Sequence, residues 1–256
     1  MPTTVDLNCD LGEGLPQGPE DADDDALLEI VTSANLACGF HAGDPSIMRR
    51  VSERAARNGV AVGAHVAYQD RAGFGRRFID VDPGTLRDEV AYQLAALAGI
   101  ARVAGTRTSY VKPHGGLYNA IVSHEAQAAA VVTAVREVDP DLVLLGLPGS
   151  AVLRLAERAG LATAHETFAD RAYTPEGALV PRDRPGAVLH DPEAIAARCV
   201  AMALGRPVLD INGDELTLRP DSICVHGDTP GAVRIAQHVR AALTEAGIAL
   251  APFVRA

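Results

Sequence analysis

Along the chain, short apolar runs alternate with stretches in which apolar residues recur every three or four positions. The runs read as β-strands at Val5 to Cys9, Ala34 to Cys38, Val60 to Ala64, Ser109 to Val111, Leu142 to Gly146, Thr163 to Thr167 and Ser222 to Val225. The periodic stretches predict helices near 25–33, 45–58, 84–104, 124–137, 150–159, 192–204 and 230–246. Strands that alternate with helices pair in parallel, which leaves a doubly wound sheet or a barrel. One interruption breaks the rhythm: Pro207 to Pro220, centred on Asn212-Gly213-Asp214, predicts a β-hairpin inserted before the last strand. No repeat, long linker or low-complexity block divides the chain, so residues 1–256 are expected to form one (β/α)-barrel-like domain, a size that suits such a barrel.

Polar clusters fall at the carboxyl ends of these strands. Asn8, Asp10 and Glu13 follow the first, His41 and Asp44 the second, and His65, Tyr68, Asp70 and Arg71 the third. Lys112 and His114 follow the fourth, Glu166 to Arg171 close the strand at 163–167, and His226 and Asp228 follow the last. In parallel α/β architectures those ends converge on one face, and that face holds the active site. An enzyme therefore explains the placement better than a purely structural origin does.

Each cluster also has a plainer reading. A histidine at a strand end often just caps a helix or bonds a carbonyl. Together, however, His41, His65, His114 and His226 with Asp10 offer the imidazole and carboxylate set that a divalent metal takes in hydrolytic sites. The metal candidates are Asp10, His41, His65 and His114, and the same groups equally suit acid–base chemistry without a metal. Gly12 and Gly14 around Glu13 allow close approach of a ligand or simply make a turn with a capping acid. A dinucleotide loop would need a third glycine, and a Walker loop is excluded because the sole lysine is preceded by valine and followed by proline. Gly-x-Ser-x-Gly is absent too. The loop Gly73-Phe74-Gly75-Arg76-Arg77 and the arginines Arg171 and Arg182 are either solvated or placed to clamp a substrate carboxylate.

Composition sharpens one point above all. Lysine and arginine together number 23, yet Lys112 is the only lysine. It is either a leftover surface charge or a position where a compact, tunable ammonium does what a guanidinium fork cannot. A net charge of −10 and a pI near 5.2 argue against nucleic acid as a partner. The acidic run Glu20 to Asp25 reads as a solvated helix start. Cysteines at 9, 38, 199 and 224 lack metal or redox spacing, and Cys9, Cys38 and Cys224 lie in strand-like segments, as buried reduced thiols of a cytoplasmic protein would. No apolar run approaches a membrane span and no leader pattern opens the sequence, so a soluble chain with no membrane partner is expected; a homo-oligomer stays open.

Several stretches resemble a known family. They are Asp6-Leu-Asn-Cys-Asp-Leu-Gly-Glu13, Ser33-Ala-Asn-Leu-Ala-Cys-Gly-Phe-His-Ala-Gly-Asp-Pro45, Gly63-Ala-His65, Gly73-Phe-Gly-Arg-Arg77, Lys112-Pro-His-Gly-Gly-Leu-Tyr-Asn119, Phe168-Ala-Asp-Arg171 and Cys224-Val-His-Gly-Asp-Thr-Pro-Gly231. From about residue 4 to 250 they run in the order of the LamB/YcsF family, whose characterised function is that of the A subunit of the ATP-dependent 5-oxoprolinase. The resemblance implies a distorted (β/α) barrel similar to polysaccharide deacetylases. It also implies partner subunits B and C and the ATP-dependent opening of 5-oxo-L-proline to L-glutamate. Val66-Ala67-Tyr68 departs from the family's usual Pro-Gly-Tyr, and His165 stands where the family often has asparagine.

On this reading Asp10, His41, Lys112 and His114 are the catalytic candidates. Asn8, Glu13, His65, Arg76, Glu166, Arg171, His226 and Asp228 are the substrate-binding ones. Asp10 or a histidine would activate water, Lys112 and His114 would stabilise developing charge, and arginines would hold the substrate carboxylate. ATP is expected to be handled wholly or partly by the partners, since no nucleotide loop is present. Two other readings compete: a stand-alone metal-dependent amide or deacetylase-type hydrolase, and a non-catalytic ligand-binding subunit.

Overall fold

A computed structural model describes residues 3–14, 19–227 and 231–254, with the backbone alone for 19–22. The barrel is realised and the doubly wound sheet is not. Strands β1 (Thr4–Leu11), β2 (Ser33–Ala37), β3 (Ala61–His65), β4 (Thr108–Val111), β5 (Val143–Gly146) and β6 (Thr163–Phe168) pair in parallel in that order. The hairpin β7 (Pro207–Leu209) and β8 (Glu215–Thr217) is antiparallel and stands apart, as the turn residues predict. Strand β9 (Ser222–Val225) then pairs with both β6 and β1 and closes the ring, while β10 (Ala249–Leu250) adds to the start of β1 from outside.

Helices α1 (Pro19–Leu27), α2 (Pro45–Asn58), α3 (Pro83–Val103), α4 (Gly115–Ala120), α5 (Glu125–Val138), α6 (Ala151–Arg158), α7 (Pro192–Ala203) and α8 (Ala232–Glu245) accompany the strands. Most match the periodic pattern to within a residue or two. The first does not: the helix expected at 25–33 ends at Leu27, because Thr32 turns back to bond Asp6 and leads directly into β2. The acidic run there is not simply solvated, since Asp24 is buried and accepts from Gly12 N at 3.0 Å. The short helix α4 and strand β10 had no counterpart in the periodic pattern. Helix α2 shows why the site loops are fixed: Asp44 caps it by accepting from Ile47 N at 2.8 Å, with Pro45 in its first turn.

The barrel divides its residues by the period-two geometry of a strand. Val5, Leu7, Cys9 and Leu11 of β1, Ala34 and Leu36 of β2, and Ile223 and Val225 of β9 belong to the apolar core between strands and helices. Fully burying a large aliphatic side chain contributes roughly 1.5–3 kcal/mol. The opposite set, Asp6, Asn8, Asp10, Ser33, Asn35, Glu166 and Ser222, bonds across the inside. Asn8 Nδ2 donates to Glu166 Oε1 at 3.1 Å, Asn35 Nδ2 to Asn8 Oδ1 at 2.7 Å, and Tyr110 Oη to Asn35 Oδ1 at 2.6 Å. Branched apolar residues usually fill such a barrel, so this polar filling marks the molecule out. Gly63 makes room for Tyr110, whose ring lies 2.1 Å from where a Cβ would stand. All four cysteines are buried and unpaired, Cys199 included.

Asp6 lies deepest in this network, and burial pushes its carboxyl up to about 6 against the pull of Ser222, Ser33 and Thr32. Its folded pKa thus lies above its unfolded value, so it stabilises the fold in acid and that contribution is lost as pH rises through 6. Between about pH 5 and pH 7.5, Asp6→Asn should gain about 1.4 kcal/mol relative to the parent, read from urea unfolding midpoints. A difference that stays constant with pH would contradict the assignment.

Candidate active site

Lys112, buried inside the barrel, is the hub of the polar interior. Its Nζ lies 2.9 Å from Asp10 Oδ1, 2.8 Å from Glu166 Oε1, 3.1 Å from Cys224 Sγ and 3.4 Å from Asn8 Oδ1. Burial alone would lower its pKa, but Asp10, the Cys224 sulfur and Glu166 outweigh it and hold the ammonium well above its ordinary value. The structure thus replaces a tunable lysine with a permanent cation. Asp10 is matched to it: burial opposes its charge, yet His65 and Lys112 hold its pKa well below the carboxylate range. Asn35 Nδ2 donates to the same Asp10 oxygen at 2.8 Å.

Above this pair sit three imidazoles and a carboxylate. His65 Nδ1 donates to Lys112 O at 2.9 Å, and His114 Nε2 to Phe74 O at 2.9 Å. A carbonyl only accepts, so these contacts fix the hydrogen on each ring. The remaining nitrogens, His65 Nε2 and His114 Nδ1, then face each other at 3.0 Å. Two lone pairs at that distance call for a cation between them. Without a metal that cation is a proton on His65: burial disfavours the charge, but Asp10, 3.4 Å from Nε2, raises the pKa above its usual value. His41 stacks on His114 with centroids 3.8 Å apart and meets Glu13 Oε1 at 2.8 Å. Burial and neighbouring histidines push both His41 and His114 well below the ordinary imidazole range, so these two rings are neutral.

The donor atoms of Glu13, His41, His65 and His114 all lie within 4.8 Å of one another. Three imidazoles and a carboxylate suit a zinc-like ion, and the facing lone pairs are what such an ion would satisfy. The grouping differs from the expected set in one member, with Glu13 in place of Asp10, which pairs with Lys112 and lies with Cys224 and His226 in a second such group.

Of these groups Glu13, His65 and His114 line a cavity of about 450 Å³, and His41 does not. Asp10, Glu13, His65, Lys112 and His114 line its floor, and Tyr118, Val122, Leu147 and Leu179 to Pro181 its apolar wall. On the far side His226 Nδ1 lies 2.7 Å from Asp170 Oδ1, and its ring stacks on Phe168. Asp170 had not been singled out; a carboxylate four residues beyond Glu166, just past a strand end, was the available signal. Arg76 and Arg182 line the cavity, and Arg77 instead pairs with Asp70. Arg171 is also there, but its guanidinium holds the 171–188 loop through Val180 O at 2.5 Å and Ala187 O at 3.4 Å. Asn8 and Glu166 contact Lys112 from beneath and do not line the cavity. Asp228 lies outside the described residues. His165 is half-buried and lies outside the cavity lining, and Val66 to Tyr68 are buried, with Ala67 held on both backbone sides by Gln93.

The fold is a parallel (β/α) barrel similar to that of polysaccharide deacetylases, with the charged cluster at the carboxyl ends of its strands. A family 4 carbohydrate esterase from Streptomyces lividans shares the fold at TM-score 0.52 and 14% identity, over 97% of this chain and 91% of that one. The chain belongs to the LamB/YcsF family, which matches residues 5–256. Its relatives include the A subunit of 5-oxoprolinase from Cutibacterium acnes, 56% identical over 96% of this chain and 98% of that protein. The crystal structure of the lactam utilization protein from Thermus thermophilus superposes with TM-score 0.90 at 39% identity, covering 97% and 99% of the two chains.

The Lys112 cage explains the choice of lysine. Lys112→Arg keeps the charge but inserts a broader group among Asn8, Asp10, Glu166 and Cys224. Overpacking of this kind should lower the unfolding free energy by roughly 1–3 kcal/mol in urea titrations. An unchanged midpoint would contradict the cage.

Proposed function

We propose that this chain is the A subunit of an ATP-dependent 5-oxoprolinase, which opens the lactam of 5-oxo-L-proline to L-glutamate together with partner subunits B and C. The observation that carries the reading is the Lys112–Asp10–His65 array on the cavity floor, two cations flanking one pinned carboxylate. Near-complete coverage by relatives named for the A subunit of 5-oxoprolinase supports the substrate, and the word subunit supports an assembly.

Opening a lactam needs water delivered to the carbonyl carbon, stabilisation of the oxygen that gains charge, and a proton for the departing nitrogen. Asp10 is too weak a base for the first task, since two cations hold its pKa down, and its role is to orient His65 and Lys112. Glu13, backed by His41 Nε2, is placed to accept the proton of an attacking water. His65 and Lys112 supply positive charge for the oxyanion. His114 holds His65 in line, and the His226–Asp170 pair faces the cavity as a proton donor for the nitrogen. Asn8 and Glu166 hold Lys112, while Arg76 and Arg182 receive the substrate carboxylate, with Arg171 shaping their loop. In place of the proton on His65, a divalent ion held by Glu13, His41, His65 and His114 would supply acidified water. An unstrained five-membered amide resists opening, so ATP is required; the lone lysine is committed to the barrel floor, which leaves nucleotide handling to the partners.

Glutamate release from 5-oxo-L-proline and ATP should occur only when this chain is combined with both partners, and Asp10→Asn should lower it at least ~100-fold. Loss on chelation with recovery on adding zinc or manganese would place a metal in the four-group site. Two results would contradict the proposal: hydrolysis of acetylated or other amides by the chain alone with metal and no ATP, or full activity in Asp10→Asn, which would leave a ligand-binding role.

A further inference from the structure

His114 is held by a turn that is itself unusual. Among the described residues Phe74 is the only non-glycine with a left-handed backbone, at φ 53°, and Gly75 follows at φ 62°. A conformation of this kind is unfavourable for a residue with a side chain and persists where the surroundings impose it.

The surroundings here are specific. Asp70 Oδ1 accepts from Gly73 N at 3.0 Å and Asp70 also pairs with Arg77, while Arg71 Nη1 reaches Gly43 O at 2.9 Å. Gly116 N donates to Gly75 O at 2.7 Å, which ties the turn to the start of the helix that follows His114. The fit leaves no room for a side chain: a Cβ on Gly75 would stand 2.7 Å from His41 Cβ and 2.9 Å from His114 Cδ2. A Cβ on Gly115 would meet Gly75 O at 2.6 Å, and one on Gly116 would meet Arg77 O at 2.4 Å. Besides the Phe74 ring, which stands edge-on to His41 and His114, and Arg76, which lines the cavity, this construction delivers the Phe74 carbonyl oxygen, 2.9 Å from His114 Nε2.

We propose that the Gly73-Phe74-Gly75 turn is a positioning element, whose Phe74 carbonyl locks His114 in the Nε2–H tautomer and so presents an unprotonated Nδ1 to His65 and Glu13. A hydrogen bond to one ring nitrogen determines what the other can do. With the hydrogen on Nδ1 instead, His114 could neither accept from His65 Nε2, 3.0 Å away, nor ligate an ion through that nitrogen. The functional consequence rests on the lactam-opening reading, whereas the tautomer does not.

The test is ¹⁵N–¹H correlation spectroscopy of the histidine rings in the chelator-treated chain, with His114 identified by the signal lost in His114→Asn. The expected result is a hydrogen on Nε2 of His114 and none on its Nδ1. A His114 ring protonated on Nδ1 alone, or averaging between tautomers, overturns the proposal whatever the enzyme does. Gly75→Ala, in the assembled glutamate-releasing enzyme, should lower kcat at least ten-fold with KM changed less than three-fold, and the variant's His114 signal should show tautomer exchange. Gly75→Ala that folds, keeps the Nε2–H signal and keeps kcat also overturns it. If Gly75→Ala does not fold, the parent spectrum alone decides. An Nε2–H spectrum with no glutamate release from the assembled parent would leave the lock standing and remove the lactam reading.

Discussion

An ammonium enclosed by two carboxylates inside a barrel is the constraint on which the rest of this molecule depends. Lys112 lies within 2.9 Å of Asp10 and 2.8 Å of Glu166, with both partners buried. Taking any one of these charges out of water is costly, and removing one partner leaves the others uncompensated, a loss of about 3–5 kcal/mol for a buried pair. The inner faces of β1, β2, β6 and β9 therefore carry Asn8, Asn35, Glu166 and Ser222 in place of branched apolar groups. Stability is left to the outer faces, where Leu7, Leu36 and Ile223 pack under the helices. One set of strands thus builds a core outward and a charged site inward.

That division fixes the order of charges on the cavity floor. Asp10 remains ionised because two cations face it, and its second oxygen then sustains the proton on His65. His41 and His114 stay neutral because burial opposes charge, reinforced at His41 by His65 and at His114 by His41.

Much of this was legible in the sequence. Strand and helix alternation specified parallel pairing, and the placement of Asp10, His41, His65, Lys112, His114 and His226 at strand ends located the face. The single lysine was a sound signal, although burial between acids makes it a fixed cation and not a tunable one. The period-two run Asp6-x-Asn8-x-Asp10, which the apolar strand pattern passed over, carries the polar inner face, and only closure of the barrel shows that Glu166 and Ser222 meet it from strands more than 150 residues away. Glu13's exchange with Asp10 in the metal-competent group depends on which carboxylate Lys112 captures. The work of the 73–77 loop was hidden for a similar reason: its contribution comes from a backbone carbonyl, and its arginines drew attention first. Helix α1 was misplaced because Thr32 ends it through a tertiary bond to Asp6 that no local pattern records.

The central claim is that Asp10 and Lys112 act as one unit, and a double-mutant cycle on Asp10→Asn and Lys112→Met tests it most directly. Measured by urea unfolding, the pair should show a coupling energy of at least ~2 kcal/mol, and each single variant should release glutamate as slowly as the double. Additive effects within ~0.5 kcal/mol, or a single variant that keeps most of the activity, would contradict the account.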